Sequence, residues 1–209
     1  MKPRSGAAVG FAGTAGPALL ALLSLGLLGF QPPVAAPRRI AIPLACSRGP
    51  PGQEHSVVVT VPASVSHGSR YKVHVDGVDS GKISHVGLKY IFDIGSEWPI
   101  PQGTTYVEGS AHLVPGTGTD NARPGAHVVH SAGSVTLVLP AHIDSGTSYT
   151  APSFEFELDV SSPEGAQITL RLSRYYVTAN ALLVGDLHTT CEPTPKPFPV
   201  AVTRVAAGT

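Results

Sequence analysis

One short segment of the sequence concentrates side chains that could do acid–base chemistry. In HIDSGTSY, a carboxylate and two hydroxyls stand within four residues, at Asp144, Ser145 and Thr147. A carboxylate can act as a general base when a second one shares its proton, because two like charges held close together cannot both ionise. A catalytic interpretation of this segment therefore requires a second aspartate opposite the first.

The segment Asp144–Ser148 resembles the Asp-Ser/Thr-Gly-Thr/Ser signature of the aspartic proteases, and LLVG at Leu182–Gly185 resembles the apolar element that follows it in that family. The resemblance implies two aspartates, one from each half of a duplicated chain. The first half carries Ser66 at the matching place, so only a homodimer could complete the pair. A Ser- and Asp-rich turn before a strand explains both halves, and a dimeric protease using Asp144 is the remote alternative.

The nine histidines invite a search for metal ligands. His127 and His130 are three residues apart, a spacing that puts them on opposite faces of a strand. His74 and Asp76 share a strand face and Asp79 follows, but two carboxylates fall short of the six or more oxygens that Ca²⁺ takes. Surface or turn histidines are the better interpretation, and we predict neither a metal site nor a cofactor.

The N-terminal sequence has the pattern of an export signal. A short basic start precedes an apolar core that is densest at Ala18–Phe30, and Val34–Ala36 supplies small residues for cleavage. We therefore predict a signal peptide over residues 1–36 and a protein that is secreted or held at the cell envelope. An uncleaved membrane anchor is the alternative, because the uncharged run extended back to Ala7 is long enough to span a bilayer.

Composition excludes some classes of protein. With 14 basic and 14 acidic residues the chain has no positive excess for a phosphate backbone, so we predict no nucleic-acid partner. A content of 42% apolar and 13% charged residues is also unlike that of a disordered chain.

Period-two alternation dominates after residue 50. In Phe154–Val160, apolar side chains occupy one face and carboxylates the other, which is typical of a half-buried strand. The candidate strands are His55–Val61, Arg70–Asp76, His85–Ile94, Thr105–Val114, Ser134–Leu139, Ser153–Val160, Gln167–Val177, Ala181–His188 and Phe198–Val205. Short strands separated by turns predict an all-β antiparallel sandwich, or a sheet closed on itself, with about 8–9 strands.

The chain also contains an internal repeat. VPASVSHGSRY at Val61–Tyr71 aligns without gaps on LPAHIDSGTSY at Leu139–Tyr149. The shared pattern resembles the first-to-second strand passage of immunoglobulin-like sandwich domains, which implies two related halves, about residues 55–133 and 134–206. The residues that define the repeated turn are Pro62, Gly68, Tyr71, Pro140, Gly146 and Tyr149.

Two cysteines in an exported chain predict one disulfide, between Cys46 and Cys191. Its Cα atoms must lie within about 7 Å, which the far ends of two tandem domains would not usually satisfy. We therefore predict one domain over residues 37–209, with the tail LHTTCEPTPKPFPVAVTRV as a final strand that the disulfide joins to the first.

The whole layout is similar to that of small exported proteins of actinobacteria with an immunoglobulin-like sandwich. The shared features are an Ala/Pro/Gly-rich signal region, an early cysteine and a late Cys-x-Pro strand, here CEPTPKP. This likeness implies a fold and a location and no particular activity.

The most favoured function is non-catalytic: binding or structural work at the cell envelope or outside the cell, with an unknown protein, glycan or lipid as partner. Trp98 lies beside two prolines in a connection, where it could contact a partner or cap one end of the sandwich. The alternative is a carrier of a lipid or other apolar ligand between the sheets, because many small side chains and few aromatic ones could leave the interior underfilled. A dry, continuous cavity above roughly 300 Å³ would favour the carrier, and a close-packed interior would favour the binding module.

Overall fold

The computed structural model describes residues 37–48 and 52–207. The predicted signal peptide, residues 1–36, lies outside the described residues. Every regular element in the described ranges is a β-strand, which confirms the all-β class. None of the described residues belongs to a helix that is long and apolar enough to cross a membrane.

Fifteen strands are formed over the described residues, so the expectation of 8–9 was too low. They are β1 (Arg38–Cys46), β2 (Gln53–Thr60), β3 (Ser64–Ser66), β4 (Arg70–Asp76), β5 (Leu88–Pro99), β6 (Thr104–Tyr106), β7 (His112–Leu113), β8 (His127–Ser131), β9 (Ser134–Leu139), β10 (Ile143–Asp144), β11 (Phe154–Val160), β12 (Gln167–Leu172), β13 (Arg174–Ala181), β14 (Gly185–Pro193) and β15 (Phe198–Ala206).

The additional strands have identifiable causes. Three of them, β3, β7 and β10, are only two or three residues long, so alternation has no room to show itself. The predicted strand Gln167–Val177 is divided at Ser173, whose amide donates to the carbonyl of Glu97 and whose hydroxyl bonds the same oxygen. This anchor separates β12 from β13, and the two strands then join different sheets.

The larger sheet contains twelve strands. Its order is β6-β11-β4-β2-β1-β14-β13-β5-β9-β8, with β7 paired to β11 and β10 paired to β5. The sheet curls until its two ends meet through side chains, because the ring of Tyr106 on β6 stacks on that of His130 on β8 with centroids 3.8 Å apart. One face of this sheet is therefore concave and encloses the interior.

The smaller sheet forms the second layer. Its order is β12-β15-β3; β12 and β15 are antiparallel, whereas β15 and β3 run parallel. Contacts of β12 with β5 and of β15 with β2 place it against the larger sheet. Alternate residues of β12 (Ile168, Leu170 and Leu172) are buried in the core, as expected for a strand with one solvated face.

The cysteines form the predicted bond. Cys46 and Cys191 lie opposite each other on β1 and β14, in the middle of the larger sheet, and are joined as a disulfide. The prediction that this strand is the final one was wrong. Pro195 and Pro197 lack the N–H groups that a continuing ladder needs, so the chain leaves the larger sheet after Pro193 and β15 enters the smaller one.

The two repeated segments share a turn. Gly68 and Gly146 both have positive φ, 75° and 89°, which a residue with a Cβ rarely adopts. In each segment the residue after this glycine donates its amide to the carbonyl three residues earlier, over 3.2 Å. Tyr71 and Tyr149 are both buried. The pairing around the turns differs, however, because β3 is parallel to β15 and β10 is antiparallel to β5.

Candidate functional site

A cavity of about 630 Å³ lies on the concave face of the curled sheet. Two of the strands that line it, β4 and β11, lie near one edge of the larger sheet. Two others, β5 and β9, lie near the opposite edge. Strands so far apart in one sheet can face the same space only because the sheet curls. The volume falls in the range of about 300–1,000 Å³ that is typical of small-molecule sites.

Buried apolar side chains form much of the cavity wall. They come from β1, β2, β4, β5, β9 and β11, and each keeps less than a tenth of its surface exposed. These residues are Leu44, Val57, Val75, Ile91, Ile94, Trp98, Leu137, Leu139 and Phe154. A ligand with an apolar body would therefore lose its contact with water against this wall.

A loop over residues 77–83 borders the cavity and is fixed to residues 147–151. The amide of Ser80 donates to the carbonyl of Tyr149 over 2.8 Å, and the amide of Tyr149 donates back to the Ser80 hydroxyl over 3.0 Å. At Gly77 a Cβ would lie 1.7 Å from the carbonyl oxygen of Ala151, so only glycine permits this close approach. The loop thus has a defined position beside the opening.

Three polar rings form a cluster within the cavity, and we call His55, Tyr149 and Tyr175 the ring cluster. The hydroxyls of Tyr149 and Tyr175 are 3.1 Å apart and hydrogen-bonded. The imidazole of His55 stacks on the ring of Tyr175, with centroids 4.6 Å apart and planes 29° from parallel. Strand alternation places these groups, because His55 and Tyr175 project inward from β2 and β13.

The ring cluster carries no charge near neutral pH. Burial lowers the pKa of His55 to about 4, because the imidazolium would lose its hydration. The pKa of Tyr175 is raised well above its ordinary value, first by burial and then by the nearby Tyr149. Burial also raises the pKa of Tyr149, although its bond to Tyr175 opposes the shift. Both phenols therefore keep their protons.

Charged side chains stand at the edge of the same cavity. Glu54, Asp76 and Asp79 supply three carboxylates, and Arg39 supplies one guanidinium. Arg39, Glu54 and Asp79 are exposed, so they mark the side that faces solvent. The opening is therefore acidic, whereas the ring cluster inside is uncharged.

His74 connects this edge to a group of ion pairs on the outer face of β4 and β11. Its Nε2 is 2.7 Å from Asp76 Oδ1 and its Nδ1 is 2.9 Å from Glu155 Oε1. Burial lowers the pKa of His74, but the two carboxylates together outweigh it and leave the pKa raised. Glu155 is also 2.6 Å from Lys72 Nζ. The His74–Asp76 pair considered for a metal is thus held in hydrogen bonds, and no group of three or more potential ligands is found in the described ranges.

The structure places the acid–base candidate away from the cavity. Asp144 lies on the short strand β10, is exposed, and its carboxylate makes no hydrogen bond or ion pair with the described residues. Ser66, at the matching place, is exposed as well. Within the apolar element Leu182–Gly185, residues 182–184 form the turn between β13 and β14 and Gly185 begins β14; the side chain of Leu183 is 97% exposed. The turn interpretation accounts for all three positions.

The position of Trp98 differs from the prediction that placed it in a connection. It has no exposed surface, so its ring offers nothing to an external partner. It lies on β5, lines the cavity, packs edge-on against Phe154, and donates its indole N–H to the Ser96 hydroxyl over 3.0 Å. The flanking prolines suggested a connection, whereas β5 continues to Pro99 because its ladder with β9 extends that far.

Sequence analysis did not identify the ring cluster. Tyr149 was noted only for the repeated turn, and nothing in the sequence singled out Tyr175. His55 carried a usable signal: it precedes Val57 and Val59 at period two, and both valines are buried. That pattern places its imidazole on the inward face. The Tyr149–Tyr175 bond had no such signal, because it joins a loop to a strand.

Comparisons with known proteins give weak structural likenesses. No family model matches the chain, and no curated protein matches it. A crystal structure of the RrgA Jo.In complex has 9% identity and a TM-score of 0.39, over 66% of this chain and 78% of that one. The full-length major pilin SpaD from Corynebacterium diphtheriae has 12% identity and a TM-score of 0.37, over 64% and 32%. The collagen-binding domain of a Staphylococcus aureus adhesin has 10% identity and a TM-score of 0.34, over 65% and 88%.

Proposed function

We propose that this protein is an exported, non-catalytic binding protein that carries a lipid or other apolar ligand inside its curled sheet. The observation that carries the proposal is the cavity of about 630 Å³ with its wall of buried apolar side chains. This volume is about twice the 300 Å³ at which we set the distinction between a carrier and a module with a close-packed interior.

The energetics of the wall support a ligand in this position. Transfer of apolar surface out of water stabilises a complex by about 25 cal/mol per Å², before the cost of association is subtracted. Six strands contribute side chains to the wall, so the hydrocarbon chain of a ligand would contact side chains on several sides. The ring cluster and the acidic edge add polar groups, which line the cavity about as much as the apolar wall does.

The disulfide supports the location. A bond between Cys46 and Cys191 persists in oxidising compartments, such as the bacterial periplasm and the extracellular space. The proposal therefore includes a signal peptide over residues 1–36 and a single domain over residues 37–209, secreted or held at the cell envelope. A protein or glycan partner on the outer surface is the second candidate and is an outcome of the test below.

The first test is the mass of the protein purified from its own host. Native mass spectrometry followed by denaturation without reduction should show a lipid-sized increment in the native state only. The denatured mass should also lack the signal segment and two hydrogens at the disulfide.

Two variants test whether the added mass comes from a ligand in the cavity. Val177→Phe enlarges a side chain that lines the cavity, and Val129→Phe makes the same change on β8, where the side chain is 40% exposed and outside the lining. We expect Val177→Phe to lose the increment and Val129→Phe to keep it. Equal native and denatured masses for the wild type would contradict the carrier and direct the search to a partner on the outer surface.

A further inference from the structure

The hydrogen-bonding capacity of the ring cluster is only partly used. Each phenol has one donor, and the pair Tyr149–Tyr175 uses one of the two. Neither ring nitrogen of His55 is hydrogen-bonded to any of the described residues, and the residue is half-buried beside the cavity. A neutral imidazole has one donor and one acceptor. The cluster therefore presents unused donors and an acceptor toward the cavity.

The charges around the cavity restrict what can bind there. A carboxylate would have to pass Glu54, Asp76 and Asp79 and then lose its hydration beside neutral groups. A buried anion is stable only with a paired cation or several donors, and Arg39 at the solvent-facing side is the one cation among the described residues of the lining. An ammonium would pass the acidic edge easily but would meet no carboxylate in the ring cluster.

We propose that the ligand is an uncharged amphiphile, with a hydrocarbon body against the apolar wall and a hydroxyl or amide head bonded to His55, Tyr149 and Tyr175. This inference rests on the proposed carrier function and adds the class of ligand. A hydroxyl matches the cluster because it donates to the imidazole acceptor and accepts from the unused phenol. An anionic lipid head group is excluded by the same geometry.

The test uses four probes that share one ten-carbon chain: decane, decan-1-ol, decanoate and decylammonium. Each is titrated into the mature protein at pH 7, and binding is followed by the emission of Trp98, the chain's one tryptophan, which lines the cavity. One added neutral hydrogen bond should make decan-1-ol bind about five-fold more tightly than decane. Decanoate and decylammonium should bind at least about ten-fold more weakly than decan-1-ol.

Two variants connect the preference to the cluster. Tyr149→Phe with Tyr175→Phe removes both hydroxyls while keeping the rings, and it should bring the affinity for decan-1-ol closer to that for decane, because only the bond to His55 remains, without changing the affinity for decane. The matched control is Tyr176→Phe, whose ring lies against Gly95 and is absent from the cavity lining. This control should bind all four probes like the wild type.

The possible failures are distinguishable. If none of the four probes binds, the carrier function itself is wrong. If decane and decan-1-ol bind equally and the double variant changes neither, the carrier stands and the head-group proposal is overturned. Tightest binding of decanoate or decylammonium would also overturn it, because charge rather than the neutral cluster would then select the ligand.

Discussion

Replacement of His55 by glutamine should remove a specific pH dependence from the stability of the protein. Burial lowers the pKa of His55 in the folded state from 6.5 to about 4. Between these values the unfolded chain holds a proton that the folded protein does not. The free energy of unfolding therefore falls as the pH is lowered through this range. Glutamine does not titrate, so the His55→Gln variant lacks this contribution.

The magnitude follows from the two pKa values. At pH 8 both states are neutral at His55, and the histidine adds no pH-dependent term. At pH 5 the unfolded state is mostly protonated and the folded state mostly is not, which destabilises the wild type by about 2 kcal/mol. The loss approaches about 3 kcal/mol below pH 4, where both states are protonated.

The assay is urea unfolding at several pH values between 5 and 8, at constant ionic strength and with the disulfide intact. The measured quantity is the free energy of unfolding of the wild type minus that of His55→Gln, in which the other titrating groups largely cancel. We expect this difference to fall by about 2 kcal/mol from pH 8 to pH 5. A difference that stays constant to within about 0.5 kcal/mol, or that rises as the pH falls, would refute the lowered pKa of His55 in the folded state.

The matched control is the same substitution at His74, where the sign should reverse. The pKa of His74 is raised, because Asp76 and Glu155 outweigh the effect of burial. Its stabilising contribution is therefore complete below the unfolded pKa and is lost as the pH rises through the raised one. The wild type minus His74→Gln should accordingly fall from pH 5 to pH 8. Equal slopes for the two variants would show that a shared change, such as loss of packing, causes both.

The remaining predictions concern stability. The double change Cys46→Ser and Cys191→Ser should lower the free energy of unfolding by about 5 kcal/mol, because the bond closes a loop with a sequence separation of 145. A loss below about 1 kcal/mol in urea titrations would contradict that reasoning. Trp98→Ala should cost about 3–5 kcal/mol by circular dichroism, since the indole is wholly buried; a cost under about 1 kcal/mol would mean that the ring is dispensable. Leu183→Asn should change stability by less than about 0.5 kcal/mol, because its side chain is 97% exposed, and a larger loss would show that the turn packs.

Local patterns explain why much of the secondary structure was predictable. The predicted bounds of Arg70–Asp76 and Ser134–Leu139 are those of β4 and β9, and the alternation in Phe154–Val160 matches its burial residue by residue. In such strands each side chain meets either core or water, so the sequence itself carries the period. The short strands β3, β7 and β10 contain too few residues to show alternation. They form because they pair with strands that are distant in the chain.

Like the short strands, the cavity depends on contacts between residues that are distant in the chain. Its wall combines Val57, Leu137 and Phe154, which lie on β2, β9 and β11 and come together only when the larger sheet curls. Nothing local to any of these residues distinguishes a side chain that faces a cavity from one that faces a filled core. The composition suggested an underfilled interior, and the curl decided where that space lies and which polar rings face it.

The sequence by itself determined the all-β class, the inward and outward faces of the long strands, and the pairing of the two cysteines. These follow from period-two alternation and from a choice between only two thiols. Only the tertiary structure decided that the ring of Trp98 is internal, that Asp144 ends the short strand β10 with its side chain exposed, and that His55 stacks on Tyr175. Each of these depends on contacts between strands that are remote in the chain, and such contacts leave no periodic trace in the sequence.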